Sequence, residues 1–235
     1  MNARVINQLA RHFFCLFFAL AVFPANAQRD LDPARWDSEM LAWENLDRMT
    51  PPPAGAILLT GSSSIARWND QVVEALAPLT IISRGFGGSI MGDVLHHLDT
   101  LVLRIKPRAV LIYEGDNDTW YDIPNRTILD QLGQIVARIH AELPQTRIYV
   151  MAVKPSIQRR EIWQNVEELN AGYRELAAGN PQVIYVDSAT PFLKADGTVM
   201  DDIFIADDLH FNPMGNLIWG ALIRAALMPT EIRYE

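Results

Sequence analysis

Ala56-Ile57-Leu58-Leu59-Thr60, followed at once by Gly61-Ser62-Ser63-Ser64-Ile65, is the stretch on which the reading of the fold turns. A short, nearly unbroken apolar run suits a strand covered on both faces. The glycine and serines behind it can turn the chain and cap a helix. A buried strand running straight into a helix is the opening of a βαβ unit.

Working outward, four further apolar runs rich in Val and Ile lie at residues 79–83, 109–113, 147–153 and 183–186. Helix-period stripes separate them. Val94, Leu95, Leu98, Leu101, Val102 and Ile105 form one. Ile128, Leu129, Leu132, Ile135, Val136 and Ile139 form a second, and Ile162, Val166, Leu169, Tyr173 and Leu176 a third. Pro107, Pro144 and Pro181 each follow a stripe and precede a run, where they stop a helix. The alternation predicts an α/β chain: a three-layer α/β/α sandwich around a central parallel sheet of about five strands. An amphipathic helix is expected before it, over residues 30–49, ending at Thr50-Pro51-Pro52-Pro53. In such sheets sites gather in the loops beyond the carboxyl ends of the strands.

Four of those loops carry chemistry. Ser62-Ser63-Ser64 follows the first strand. Arg84-Gly85-Phe86-Gly87-Gly88-Ser89 follows the second, and Glu114-Gly115-Asp116-Asn117-Asp118 the third. Asp207-Asp208-Leu209-His210-Phe211-Asn212-Pro213 precedes the last helix, with Asn212 placed to cap it and Pro213 at its first position. The three-residue spacing lets the Asp207 carboxylate reach the His210 imidazole across a turn, which fixes the tautomer of a general base. Each segment alone has a plainer use as a turn, a cap or a surface loop. Together they offer a nucleophile, a base, an acid to orient it and donors for an oxyanion.

In these four blocks the sequence resembles the SGNH hydrolases, over residues 56–227. Gly61-Ser62-Ser63-Ser64 is similar to the family's GDS block, with Ser62 where Asp is usual. The resemblance implies Ser63 as nucleophile, with Ser64 the alternative this departure leaves open. It implies Gly88, with Gly87 as fallback, and the Asn117 side chain as oxyanion donors beside the Ser63 N–H. It implies Asp207 and His210 as the rest of a triad, a flavodoxin-like SGNH fold, and acyl transfer from carboxylic esters that needs no metal or organic cofactor. The strings Gly-Ser-Ser-Ser-Ile-x-x-Trp and Arg-Gly-Phe-Gly-Gly-Ser are similar to a bacterial subgroup of GDSL-like lipase/acylhydrolase proteins. The expected partner is a small-molecule or carbohydrate ester. The same residues would serve an acetyl transferase, and a non-catalytic carbohydrate-binding module on this fold is the remaining alternative.

The rest of the chain narrows the field. The net charge is −8, and the densest basic pair, Arg159-Arg160, is too small for the phosphate neutralisation behind nucleic-acid binding. Gly85-Phe86-Gly87-Gly88 extends into no phosphate-loop pattern. Arg4, Arg11 and His12 precede an apolar run at residues 13–23 and then Pro24-Ala25-Asn26-Ala27. This run is short for a membrane span, and the pattern reads as a signal peptide over residues 1–27, cleaved after Ala27. Residues 28–235 would then be one domain, secreted or periplasmic, with no stable membrane anchor. The single cysteine, Cys15, lies in the leader, so the mature chain would carry no disulfide or thiolate site. Trp68, Trp120 and Trp163 are candidates for a pocket lining, although a core role is the commoner one. Lys154, in Lys-Pro-Ser after the fourth strand, either faces the site or is solvated. His96 and His97, adjacent on a helix and expected to face different ways, read as structural.

Overall fold

The computed structural model describes residues 31–235. The expected signal peptide, with Cys15, lies outside the described residues. A 3-10 turn, Pro33–Trp36, leads into α1 (Asp37–Met49) and then β1 (Ile57–Gly61), α2 (Ser63–Ala66), α3 (Val72–Leu76) and β2 (Ile81–Gly85). Next come α4 (Met91–His96), a π-helical turn (Asp99–Leu103), β3 (Ala109–Tyr113), α5 (Asp116–Trp120), α6 (Asn125–Glu142) and β4 (Arg147–Met151). The chain finishes with α7 (Trp163–Ala178), β5 (Val183–Val186) and α8 (Pro213–Glu231).

The five strands are parallel, in the order β2-β1-β3-β4-β5. This is the expected three-layer sandwich. Side chains alternate across the sheet, so Leu58, Val110, Ile112, Ile148 and Val150 pack under α1, α4, α6 and α7. Ile57, Leu59, Leu111, Tyr149 and Met151 pack on the other face, under α2, α3 and α8. β1 and β3 are buried at every position, as central strands must be. That double burial is why their sequences run apolar without alternation.

Several local expectations shift; β1 and β4, for instance, are Ile57–Gly61 and Arg147–Met151 rather than 56–60 and 147–153. The first helix begins at Asp37, because a 3-10 turn precedes it, its start capped by the Asp32 carboxylate accepting from Ala34 N–H at 3.0 Å. The second strand is residues 81–85, not 79–83, because the Leu79 N–H closes a turn onto the Leu76 carbonyl at 3.0 Å. The 94–105 stripe is two pieces, since α4 ends at His96 and a π turn follows. Both pieces keep Val94, Leu98, Leu101 and Val102 buried, so the apolar pattern persists across the break.

The sheet order reverses at β1, whose successor along the chain, β2, lies on one side and β3 on the other. The register sets Gly61 opposite both Gly85 and Tyr113. The loops after β1, β2 and β3 therefore leave from one line across the sheet, at the crevice where ligands bind in such folds.

Candidate active site

Gly61 closes β1 with φ +143, and a Cβ there would lie 2.2 Å from the Tyr113 carbonyl oxygen. Only glycine lets β1 run this close to β3 and turn sharply. Ser62 stands at the N-cap position of α2, and Ser63 is its first residue. The Ser63 hydroxyl lies 2.8 Å from His210 Nε2. The Ser64 side chain hydrogen-bonds Tyr113 instead, so of the two serines Ser63 is the one facing the imidazole.

The histidine is held by its own loop. His210 Nδ1 lies 2.6 Å from Asp207 Oδ2, and the backbone N–H groups of Leu209 and His210 donate to Asp207 Oδ1 at 3.0 and 2.9 Å. Ile205 N–H donates to the His210 carbonyl at 2.9 Å, and the Phe204 and Phe211 rings stack 5.6 Å apart below. Asn212 then caps α8, accepting from Met214 and Gly215 N–H, with Pro213 at the first helical position as expected.

Electrostatics follow from these contacts. Burial pushes the Asp207 carboxyl up, but the imidazole and the two backbone donors outweigh it and bring its pKa down to about 2. Burial lowers the His210 pKa below the ordinary imidazole value; Asp207 opposes this, while Arg67 and Lys154 add to it. His210 is therefore neutral at pH 7 and able to accept a proton.

Gly88 sits at φ +92 in the loop after β2, a conformation side chains rarely adopt. A Cβ on neighbouring Gly87 would lie 3.8 Å from the Ser63 Cβ, so this loop passes directly beside the serine. Among the described residues, neither the Ser63 nor the Gly88 N–H meets a protein acceptor. Asn117 is buried at the start of α5, where its Nδ2 donates to the Ser89 carbonyl at 2.9 Å and its Oδ1 accepts from Arg159 Nη2 at 3.0 Å. The Ser89 hydroxyl in turn contacts Glu114, whose carboxyl burial drives well above its usual range. Asp118 accepts from Gly115 and Met91 N–H, and burial raises it to about 7.

The structure also places the tryptophans, the lysine and the remaining histidines. Trp68 is 1% exposed and packs in the core against α8, the commoner of its two expected roles. Trp163, the first residue of α7, packs half-buried against the core, while Trp120 stands at the surface over the Arg159 guanidinium. Lys154 is neither solvated nor loose. Its Nζ is buried, donates to the Leu209 carbonyl at 2.7 Å and lies 4.9 Å from the Phe211 ring centre. Burial lowers its pKa to about 8. His97 is buried with Nε2 2.9 Å from the Pro33 carbonyl, a structural role as expected. His96 and His97 do not simply diverge, because their rings meet edge to face at 4.6 Å. With Asp37 they are the described residues able to bring three metal-ligand atoms within 4.8 Å of one another, outside the Ser63 constellation. Trp36 and Arg159 were not singled out for the site by the sequence. Trp36 Cζ2 lies 3.9 Å from where a Gly88 Cβ would sit, and its Nε1 donates to buried Asp93 at 3.1 Å. No short motif reports either residue, because each reaches the site from a distant part of the chain.

Comparison with known proteins bears on the family and the fold. The profile of the GDSL-like Lipase/Acylhydrolase family matches residues 51–218, most of the chain. No protein of curated function matches the sequence. Solved structures share the fold at low identity. The chain superposes on a GDSL-like lipase of Bacteroides thetaiotaomicron with TM-score 0.69 and 19% identity, covering 85% of this chain and 98% of that one. A lipase/acylhydrolase of Enterococcus faecalis gives TM-score 0.62 and 22% identity over 73% and 95%. The C-terminal catalytic domain of a Streptococcus pneumoniae peptidoglycan O-acetyltransferase gives 0.58 and 21% over 75% and 94%. With the family profile running from ahead of β1 into α8, the chain belongs to the GDSL-like lipase/acylhydrolase (SGNH hydrolase) family.

Proposed function

We propose that the protein is a secreted serine esterase that cleaves carboxylic esters through Ser63, His210 and Asp207. The observation that carries the reading is the unbroken relay of 2.8 Å from Ser63 Oγ to His210 Nε2 and 2.6 Å from His210 Nδ1 to Asp207. As Ser63 attacks the ester carbonyl, its proton passes to His210 Nε2, and Asp207 supports the imidazolium. The Ser63 and Gly88 N–H groups and one N–H of Asn117 receive the oxyanion, each donor contributing about 3 kcal/mol in the transition state. His210 then gives its proton to the leaving alcohol, and the acyl group stays on Ser63. Water, deprotonated by the same imidazole, releases the acid and restores the serine.

The substrate is a small-molecule or carbohydrate ester. The resemblance to a peptidoglycan O-acetyltransferase domain keeps one second reading open, in which a sugar hydroxyl replaces water as acceptor. A panel of p-nitrophenyl esters and acetylated sugars, run on wild type and Ser63→Ala, tests the assignment. Turnover by wild type that vanishes in Ser63→Ala supports it, and equal turnover by both removes it. Product analysis with a sugar acceptor separates transfer from hydrolysis.

The basic and apolar leader ending at Ala27 supports export, and among the described residues no helix is long and apolar enough to cross a membrane. Exported protein should begin at Gln28 or its cyclised form, as read by mass spectrometry. An exported chain still carrying Met1 would contradict the processing.

A further inference from the structure

The Asn117 side chain presents a problem that its own segment does not solve. Its amide oxygen and nitrogen are nearly equal in size, so rotation by half a turn costs little sterically. Turned the wrong way, the amide would aim a lone pair at a developing oxyanion, repelling the charge it should stabilise. Something must fix its sense.

We propose that Arg159 is a positioning residue for the oxyanion hole, locking the Asn117 amide with its N–H toward the reacting carbonyl. The inference rests on the esterase reading above. A guanidinium carries only donors, and a backbone carbonyl only accepts. Arg159 Nη2 therefore takes Asn117 Oδ1 at 3.0 Å, while the Ser89 carbonyl takes Nδ2 at 2.9 Å. A flipped amide would lose both contacts. Since an amide nitrogen carries two N–H groups, one remains for a substrate oxygen.

Arg159 is itself rigidly held. It is buried, its Nη1 donates to the Asp116 carbonyl at 2.7 Å and to Asp116 Oδ1 at 2.6 Å, and Trp120 stacks across it with its ring centre 5.3 Å from Cζ. Asp116 balances the charge, so the cation can be buried beside the site. The planar fork serves Asp116 from Nη1 and Asn117 from Nη2, a fixed spacing that a single ammonium nitrogen does not reproduce. A charge-assisted bond to Oδ1 also polarises the amide and sharpens its N–H as a donor.

The test is a double-mutant cycle on p-nitrophenyl acetate, using Arg159→Lys and Arg159→Met alone and in the Asn117→Ala background, with thermal melting to verify folding. Arg159→Lys, which keeps a cation for Asp116, should fold and lower kcat about tenfold or more, with KM within about twofold. In the Asn117→Ala background the same change should cost less than about twofold, because the amide it orients is gone. Arg159→Met should follow the same pattern with a larger drop. An unchanged kcat in Arg159→Lys, a loss confined to KM, or a full additional loss on top of Asn117→Ala would each overturn the proposal. So would failure of both variants to fold, which would assign the arginine to packing alone. Ser63→Ala run alongside separates the two readings. If it retains turnover, the esterase assignment falls. If it is inactive while the cycle is additive, only the role of Arg159 falls.

Discussion

The hydrogen bonds joining Asp207 to Leu209 and His210 span two or three residues, whereas the Asn117 amide is fixed by Ser89 and Arg159, 28 and 42 residues away. The proposed base is thus oriented by its own turn, and the proposed oxyanion donor by the tertiary fold. A turn of this kind re-forms wherever its ends are held, and here the Phe204–Phe211 pair and the Asn212 cap hold them. The amide has no such local memory. Its geometry is only as good as the packing of the β2 and β4 loops around it. Damage to the base should therefore remove chemistry outright, and damage near Asn117 should lower it by degrees.

The largest effects are expected at the relay. Ser63→Ala and His210→Ala should each lower kcat by about 10⁴–10⁶, and the double variant should be little worse, since the two act as one unit. Asp207→Ala should cost less, about 10²–10⁴, because the carboxylate orients and supports the base without taking the proton. Steady-state hydrolysis of a p-nitrophenyl ester reads all four. Wild-type-like turnover in His210→Ala would break the relay entirely.

On the other side of the comparison, Asn117→Ala should lower kcat by about 10²–10³ with KM nearly unchanged, as for a donor used only in the transition state. A change confined to KM would move Asn117 to ground-state binding. Then the contrast between a locally built base and a tertiary oxyanion donor would lose its chemical meaning.

This contrast also explains what could be read from the sequence. Asp207-x-x-His210 ahead of Asn212-Pro213 declares its geometry because its contacts are short in sequence, and the structure has the helix starting at Pro213 as expected. The strands were legible because β1 and β3 are buried on both faces, which forces unbroken apolar runs. Arg159 was visible only as half of a small basic pair, since nothing in Gln158-Arg159-Arg160 says that Asp116 and Asn117 lie against it. On sequence alone Trp68 stays open between a pocket and the core for the same reason. It follows a strand-end loop, yet α8, some 150 residues on, packs over it and leaves it in the core. The break after His96 was hidden because a π turn keeps the same face buried.

The smallest expected effect joins the two regions through Lys154. The cation donates to the Leu209 carbonyl, next to His210, and lies 4.0 Å from Asp116, beside Asn117. Burial depresses the His210 pKa first, Arg67 and Lys154 depress it further, and Asp207 alone opposes them. Only the neutral imidazole accepts the serine proton, so kcat/KM should fall as pH drops through this ionisation, and the midpoint should lie below the ordinary imidazole value of about 6.5. With its own pKa near 8, Lys154 stays charged over that acid limb. Replacing it by methionine removes a positive neighbour, so the imidazolium becomes easier to form and the midpoint should move upward. Arg67→Met should move it in the same direction, while Lys154→Arg should leave it close to wild type. If Lys154→Met lowers kcat/KM equally at every pH, the lysine acts only as a strut for the Leu209 carbonyl and its charge does not reach the base. A downward shift would mean that losing the strut draws His210 away from Asp207, so that the carboxylate no longer supports the imidazolium. The base loop would then depend on distant packing as much as the amide does.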